Sequence, residues 1–238
     1  MSKKISLGTY LAHAGICSRR AADVLVRQGQ VKLNQQVVLE PGLAVLPGDQ
    51  VFYQNKLVSI EPKVYILLNK PLNYLSAASD LKHGRKTVID LVKNACQARL
   101  YPVGRLDYQT TGLIILTNDG DFAQKLAHPK YEVTKIYCVT LNINFHVEDL
   151  ALLKAGLELE DGFMQVDDIY YDTLKRDCKV VHVVIHSGKN RIVRRLFEHL
   201  GYHVIALDRI AYAGLNQQDL AVGKWRFLSP SELTALKK

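Results

Sequence analysis

The chain has 238 residues and carries 31 Lys and Arg against 23 Asp and Glu, a formal net charge of +8 that favours a polyanionic partner such as nucleic acid. Its 48% of hydrophobic residues exclude a disordered chain, and its length allows two domains with separate cores. Because no apolar run approaches the ~18 residues of a membrane span or suits a signal peptide, we expect a cytoplasmic protein with no membrane partner.

The first 60 residues predict a small basic module made of two helices and short strands. Ser18 is a suitable N-cap for the second helix, and Gly29 is its stop. This segment has seven Lys and Arg against three Asp and Glu, and therefore half of the net charge in a quarter of the length. The predicted helices cover 6–14 and 18–28, and the predicted strands 31–33, 36–38 and 50–53.

Residues 14–34 resemble the S4 RNA-binding domain. An alternative for the basic pair Arg19 and Arg20 is a solvated first helical turn, but cations at that position oppose the helix dipole. The resemblance implies contacts with the RNA backbone from four basic side chains, namely Arg19, Arg20, Arg27 and Lys32. We therefore predict an S4-like RNA-binding domain over 1–60, a linker over 54–63, and a second domain over 61–238.

From residue 64 the pattern changes to longer apolar strands that alternate irregularly with helices. A strand over 64–69 closes at Lys70 and Pro71, and helices are predicted over 88–94 and 121–128. The polar, basic stretch 76–86 is either solvated surface or an RNA contact. Because no regular βαβ repeat is present, we predict an α+β domain with a mixed, mainly antiparallel sheet flanked by helices.

The stretch 99–112 carries the strongest functional signal. Asp107 lies between a glycine turn and the apolar run 113–116, and a carboxylate at such a strand–loop junction suits a nucleophile or a base. The alternative is a surface pair with Arg105. Residues 104–120 resemble motif II of the pseudouridine synthases of the RsuA/RluB type, which implies that Asp107 is the catalytic residue.

The segment 135–141 is the second match to this family. Strand alternation places Lys135, Tyr137 and Val139 on one face. Tyr137 on its own could be an ordinary core aromatic. The Lys-x-Tyr pattern resembles the family motif whose tyrosine packs on the flipped target base, since stacking offsets about 1–3 kcal/mol of lost base stacking.

The third match is 185–197, where a strand ends, a glycine turn follows, and a helix is predicted to run to Leu200. Helical spacing buries the apolar stripe, leaves Arg191 and Arg195 on the solvent side, and places Arg194 beside the stripe. The segment resembles motif III, which implies that Arg194 pairs with Asp107. It departs from the family pattern at His186, Ser187, Ile192 and Leu196. We also expect RNA contacts from Arg105, Lys189 and Arg191.

The resemblance implies a synthase that isomerises uridine to pseudouridine in ribosomal RNA and acts as a monomer. The stretches 101–108 and 128–135 look closer to the large-subunit branch, so 23S rRNA, as a precursor or assembly intermediate, is the favoured partner. The alternatives are a 16S rRNA pseudouridine synthase and a non-catalytic RNA-binding or ribosome-assembly protein. Retention of Asp107, Tyr137 and Arg194 together argues against a decayed active site.

No cofactor and no metal are expected. The isomerisation oxidises nothing, and the sequence contains no phosphate-binding glycine loop. The four cysteines lack metal-binding spacing. His182 and His186 lie on a predicted strand, where four residues span about 13 Å, too far to share one ion.

Overall fold

The computed structural model of the protein describes residues 4–172 and 178–237. The chain divides into two compact units, of which the first comprises Met1–Val64 with Cys96–Leu100, and the second Tyr65–Ala95 with Tyr101–Lys238. The short segment Cys96–Leu100 therefore belongs to the first unit. The sequence-based boundary between residues 60 and 61 stays a prediction.

The first unit combines two helices with a small antiparallel sheet of order β3-β2-β5-β6 and a separate β1–β4 pair. Its elements are β1 (Ile5–Ser6), α1 (Leu7–His13), α2 (Arg19–Arg27), β2 (Val31–Leu33), β3 (Gln36–Val37), β4 (Ala44–Val45), β5 (Val51–Tyr53) and β6 (Lys56–Val58). As predicted, the Ser18 hydroxyl caps α2 by accepting a hydrogen bond from the Ala21 N–H at 3.3 Å. Leu7, Leu11, Val26 and Val31 are fully buried in its core.

The second unit contains the longer strands and the remaining helices. Its elements are β7 (Tyr65–Lys70), α3 (Val88–Val92), β8 (Tyr101–Val103), β9 (Thr111–Thr117), α4 (Gly120–Ala127), a 3-10 turn (Pro129–Tyr131), β10 (Lys135–Leu141), α5 (Val147–Ala155), β11 (Leu157–Leu159), β12 (Gly162–Met164), β13 (Asp168–Tyr171), β14 (Val180–Ile185), α6 (Ile192–His199), β15 (Val204–Tyr212), β16 (Leu215–Asn216), β17 (Trp225–Phe227) and α7 (Pro230–Lys237). In the described part of the chain, no helix is long and apolar enough to cross a membrane.

One large sheet organises this unit, in the order β13-β14-β10-β15-β9-β7-β17, with β16 beside β15 and β8 beside β9. The β9–β15 pair is parallel, while the other pairings along the sheet are antiparallel. The mixed, mainly antiparallel α+β fold predicted from the sequence is confirmed.

Helices cover the two halves of the sheet with separate apolar cores. The predicted stripe of α6 is buried against β10 and β14, with Leu196 and Phe197 at 1% and 0% exposure. Helices α4 and α7 cover β7 and β9 instead. Both cores lie against strands whose inward residues are mostly branched aliphatics and tyrosines, which suit a pleated surface.

The parallel β9–β15 contact requires a glycine. Gly112 pairs with Arg209, has φ of +111°, and a Cβ added to it would lie 2.4 Å from the Arg209 backbone nitrogen and oxygen. A side chain is excluded there both by backbone conformation and by space. The loop that precedes β9 is thereby held close to β15.

Candidate active site

Asp107 lies in the loop between β8 and β9, and its backbone is fixed on both sides. Ser76 Oγ donates to the Leu106 carbonyl at 2.8 Å and accepts from the Leu106 N–H at 3.0 Å. The Thr110 N–H donates to the Asp107 carbonyl at 3.1 Å. The side chain of Asp107 is 36% exposed, so an ordered backbone presents a carboxylate that a substrate can reach.

Lys70 lies directly beneath this loop, at the end of β7, and is fully buried. Its ammonium donates to the carbonyls of Pro71, Asp107 and Thr110 at 3.0, 3.1 and 2.7 Å. Burial lowers the pKa of Lys70 to about 8, and the nearby charge of Asp107 opposes that change. Lys70 therefore ties β7 to both ends of the Asp107 turn.

The ion pair of Asp107 is made by Arg191, whose Nη1 lies 3.7 Å from Asp107 Oδ2. Among the described residues this contact replaces the pairing expected with Arg194. Arg191 is exposed, as helical spacing predicted, but its pairing with Asp107 was not predicted; Arg191 precedes α6, which begins at Ile192. Arg191 itself has left-handed backbone angles, φ +48° and ψ 29°, so helical spacing does not describe the direction of its side chain.

Arg194 is 7% exposed and is held by backbone carbonyls. Its Nη1 donates to Val204 and its Nη2 to Gln109, both at 2.9 Å. Burial lowers its pKa, Arg191 adds to that effect, and Asp107 opposes it, so the guanidinium acts electrostatically on the same carboxylate. Arg194 thus fixes the loop that carries Asp107, and its predicted role in the reaction stays a prediction.

Tyr137 and three neighbours form one patch on two adjacent strands. On β10 and β15, Tyr137 is the cross-strand partner of Arg209, and Lys135 is the partner of Tyr212. Directly opposed residues on antiparallel strands share one face of the sheet. Tyr137 is partly buried and packs against the core below β10, with its ring at the wall of a cavity.

That cavity has a volume of about 230 Å³ and is built from several elements of the second unit. The loop before β9, the strands β10 and β15, the end of α4 and the loop before α6 all contribute to it. Five of the predicted site residues line it, namely Arg105, Asp107, Tyr137, Lys189 and Arg191. Lys135 and Arg209, which were not predicted as site residues, line it as well. The fold therefore brings two of the three predicted catalytic side chains to one cavity and places Arg194 behind its loop.

The predicted RNA-contact residues differ in how they are held. Arg105 is exposed, whereas the Lys189 ammonium donates to the Asp161 carbonyl at 3.0 Å. In the first unit Arg19, Arg20 and Arg27 are exposed on α2. The Lys32 ammonium donates to Asn55 Oδ1 at 3.0 Å.

Lys70 and Arg209 lie outside the three motif segments, so the sequence analysis did not identify them as site residues. Each is a charged residue inside a strand that is otherwise largely apolar. For Lys70 the signal in the sequence was a cation at the end of an apolar strand. The structure shows that all six residues of this strand are buried. A charged residue is almost never fully buried without a structural or functional partner.

Three side chains of metal-ligand type lie together on the opposite face of the sheet. The ligand atoms of Cys138, Asp172 and His182 are within 4.8 Å of one another. The 3.5 Å contact of His182 Nε2 with Asp172 Oδ2, together with the register that pairs Cys138 with His182, accounts for their proximity. The predicted absence of a metal stays a prediction.

Comparison with known proteins identifies the family. A family model described as RNA pseudouridylate synthase matches residues 64–199, and an S4 domain model matches residues 7–51. The chain belongs to the RNA pseudouridylate synthase family. The resemblance inferred from the three motif segments is thereby confirmed, and with it the activity of an RNA-modifying isomerase.

Full-length relatives agree with this assignment. The chain is 45% identical to the ribosomal large subunit pseudouridine synthase B of Bacillus subtilis over 95% of its own length and 93% of the relative's. It is 38% identical to an RNA pseudouridine synthase of Aquifex aeolicus described as uncharacterized, over 99% and 94%. A crystal structure of a pseudouridylate synthase matches 98% of this chain and 99% of that one, with a TM-score of 0.68 and 26% identity.

Proposed function

We propose that this RNA pseudouridylate synthase isomerises a uridine of ribosomal RNA, with 23S rRNA as the favoured substrate, and that Asp107 carries the reaction. One observation supports this most strongly. Asp107 lines the cavity with its side chain 36% exposed on a fixed backbone, and Tyr137 lines the same cavity. A carboxylate for the sugar and an aromatic ring for the base are the two groups that the isomerisation needs.

The reaction breaks the bond between C1′ of the ribose and N1 of the uracil and forms a bond between C1′ and C5. Asp107 either attacks C1′ or removes the 2′ proton. After the base turns and C5 bonds to C1′, a proton leaves C5 and N1 takes one up. Tyr137 or a water accepts the C5 proton, and no group enters or leaves overall, so no cofactor is needed.

Two arginines support the carboxylate in different ways. Arg191 faces Asp107 directly, at 3.7 Å, from the exposed side of the cavity. Arg194 binds the Gln109 carbonyl from the buried side and thereby holds the loop in place. We assign Arg194 to positioning Asp107, and Arg191 to the contact with its carboxylate.

The choice of large-subunit rRNA is supported by the name of the Bacillus subtilis relative, at 45% identity along nearly the whole chain. We propose that the substrate is 23S rRNA in a precursor or assembly intermediate, that the protein acts as a monomer, and that it works in the cytoplasm. Arg19, Arg20, Arg27, Lys32, Arg105, Lys189 and Arg191 are the proposed RNA contacts.

The test of catalysis is the Asp107→Asn variant. We expect product formation to fall at least about a thousandfold while RNA affinity changes less than about threefold, because binding is spread over many phosphate contacts. Turnover and filter binding are measured on one rRNA fragment. Asp219→Asn, an exposed residue with φ of +60°, is the control and keeps full activity. Turnover of Asp107→Asn within tenfold of the wild type would remove Asp107 from its assigned role.

The test of the substrate is a map of pseudouridines in both rRNAs of a deletion strain. Loss of one or more positions in 23S rRNA supports the proposal. Loss in 16S rRNA alone identifies a small-subunit enzyme. Unchanged maps together with a ribosome-assembly defect identify a non-catalytic assembly protein.

A further inference from the structure

Arg209 is a cavity residue that the proposed reaction has not yet used. It lies on β15, is 2% exposed, and is the direct cross-strand partner of Tyr137. Its Nε donates to the Leu113 carbonyl at 2.7 Å, and its guanidinium carbon lies 4.3 Å from the ring centroid of Tyr212. These contacts fix the guanidinium in one orientation, and Arg209 is one of the residues that line the cavity.

The positive charge of Arg209 has no carboxylate as counter-ion in the described part of the chain. Within residues 4–172 and 178–237 no carboxylate forms an ion pair with it, and its buried Nη2 has no hydrogen-bond partner. The neighbouring Asp208 is occupied by Thr111 and Gln217, at 2.7 and 3.0 Å. A buried cation whose hydrogen-bonding groups are only partly satisfied is energetically unfavourable, and an anion bound in the cavity would stabilise it.

Lys135 adds a second positive charge to the same wall. Its ammonium donates to the carbonyls of Val133 and His186 at 2.9 and 2.6 Å, and so holds no carboxylate directly. Burial first, and then the charge of Arg209, lower the pKa of Lys135 to about 8, while the charge of Asp167 opposes this change. Lys135 and Arg209 therefore both contribute positive charge to the lining of the cavity.

The reaction generates an anion in this cavity. In both routes open to Asp107, the electron pair of the C1′–N1 bond leaves with the base. The detached uracil then carries a negative charge, spread over N1, O2 and O4, until C5 bonds to C1′, C5 loses its proton and N1 gains one. Fixed positive groups stabilise developing charge most effectively where water is excluded.

We propose that Arg209 stabilises the negative charge of the detached uracil, and so lowers the barrier to cleavage of the C1′–N1 bond. The inference rests on the proposed isomerisation but not on the choice between its two routes. The competing explanation is a purely structural one, in which Arg209 only ties β15 to β9 through the Leu113 carbonyl. The two explanations differ in how the rate depends on the stability of the departing base.

The experiment compares single-turnover cleavage of the C1′–N1 bond in two RNAs that carry uridine or 5-fluorouridine at the target position. Fluorine withdraws electron density, so the departing base needs less help as an anion. We expect Arg209→Gln to slow cleavage of uridine by about a hundredfold and of 5-fluorouridine by less than about tenfold. Arg209→Lys keeps the charge, and we expect its rate of uridine cleavage to fall between the rates of the wild type and of Arg209→Gln.

The ratio of the two rates in one preparation does not depend on the fraction of folded protein. Arg195→Gln, which removes an arginine paired with Asp161 outside the cavity lining, is the control and leaves both rates unchanged. Equal slowing of uridine and 5-fluorouridine by Arg209→Gln would overturn the proposal and leave the structural explanation.

A second measurement uses the unaltered protein, in case every variant fails to fold. Barbiturate is a uracil-like ring that is anionic at neutral pH, and dihydrouracil is a neutral one. We expect calorimetry to show barbiturate binding at least about tenfold more tightly. Equal affinity for the two rings would overturn the proposal that the cavity stabilises an anionic base. A wild-type protein that forms no pseudouridine would instead overturn the proposed function.

Discussion

Two arginines near the start of α6 support Asp107, whereas the sequence analysis expected only Arg194 to do so. Arg191 reaches Asp107 because its left-handed backbone turns the side chain away from the helical path. Backbone conformations of this kind in residues other than glycine cluster at functional positions. Arg194, three residues after Arg191, is buried and donates to the Gln109 carbonyl in the loop that carries Asp107.

This division predicts different consequences for two matched substitutions. Arg194→Gln leaves buried carbonyls without donors and lowers the free energy of unfolding by about 2–4 kcal/mol. Arg191→Gln removes two exposed ion pairs, with Asp107 and Glu198, each worth about 0–1 kcal/mol, so it lowers turnover with little change in stability. Urea unfolding and single-turnover kinetics are measured on both variants. A large stability loss for Arg191→Gln, or none for Arg194→Gln, would contradict the assignment.

Lys70 predicts a pH dependence of stability. Its pKa is about 8 in the folded protein and 10.5 in the reference state, so between these values the unfolded chain binds more protons. Stability contributed by this group therefore rises as pH increases from about 8 to about 10.5. We expect the unfolding free energy of the wild type, relative to Lys70→Met, to increase across that window. The exposed Lys56→Met is the control, and a constant difference for Lys70→Met would disprove the linkage.

At the scale of elements, the loop that carries Asp107 depends on how closely β9 approaches β15. A Cβ at Gly112 would collide with the Arg209 backbone at 2.4 Å, whereas a Cβ at Gly104 meets nothing within 4 Å. Both glycines have positive φ, +111° and +70°. A substitution at Gly104 therefore tests backbone strain alone, whereas one at Gly112 tests strain together with a steric clash.

We predict that Gly112→Ala lowers the free energy of unfolding by about 3–5 kcal/mol, because it adds overpacking to strain. Gly104→Ala is expected to lower it by about 1–2 kcal/mol, from strain alone. Chemical denaturation of both variants provides the measurement. Equal losses would mean that the β9–β15 contact yields to the extra carbon.

Features of the helices and strands could be predicted from the sequence where the interacting residues are close together along the chain. The Ser18 cap and the buried stripe of α6 were predicted because they depend on residues three or four positions apart. The burial of Lys70 and Arg209 was not predicted, since most of their carbonyl partners lie far away along the chain, up to 96 residues. The pairing of Asp107 with Arg191 depended on one backbone angle that helical spacing does not report.

At the scale of the whole molecule, positive charge is carried by both units. In the first unit Arg19, Arg20 and Arg27 lie exposed on α2, within the segment that matches the S4 domain. In the second unit Arg105 and Arg191 are exposed at the cavity. RNA affinity is therefore expected to be distributed, with phosphate contacts in the first unit and the reaction in the second.

This distribution predicts a change in salt dependence when the charges of α2 are removed. Each lost phosphate contact lowers the slope of log affinity against log salt by about 0.7–0.9, so Arg19→Gln with Arg20→Gln should lower it by about 1.4–1.8. Filter binding on one rRNA fragment over a salt series provides the measurement. The control is Lys4→Gln with Lys56→Gln, which removes two other charges of the same unit. An unchanged slope for the arginine pair would exclude α2 as an RNA anchor.

The parallel pairing of β9 with β15 also has a consequence for synthesis. Thr111 lies beside Asp208 in that register, so almost one hundred residues must be translated between the two strands before they meet. Contacts between segments so distant along the chain form late and slowly. Asp107 and Tyr137 leave the ribosome long before β15 supplies the wall that completes their cavity. The cavity of a nascent chain is therefore incomplete until β15 has been translated.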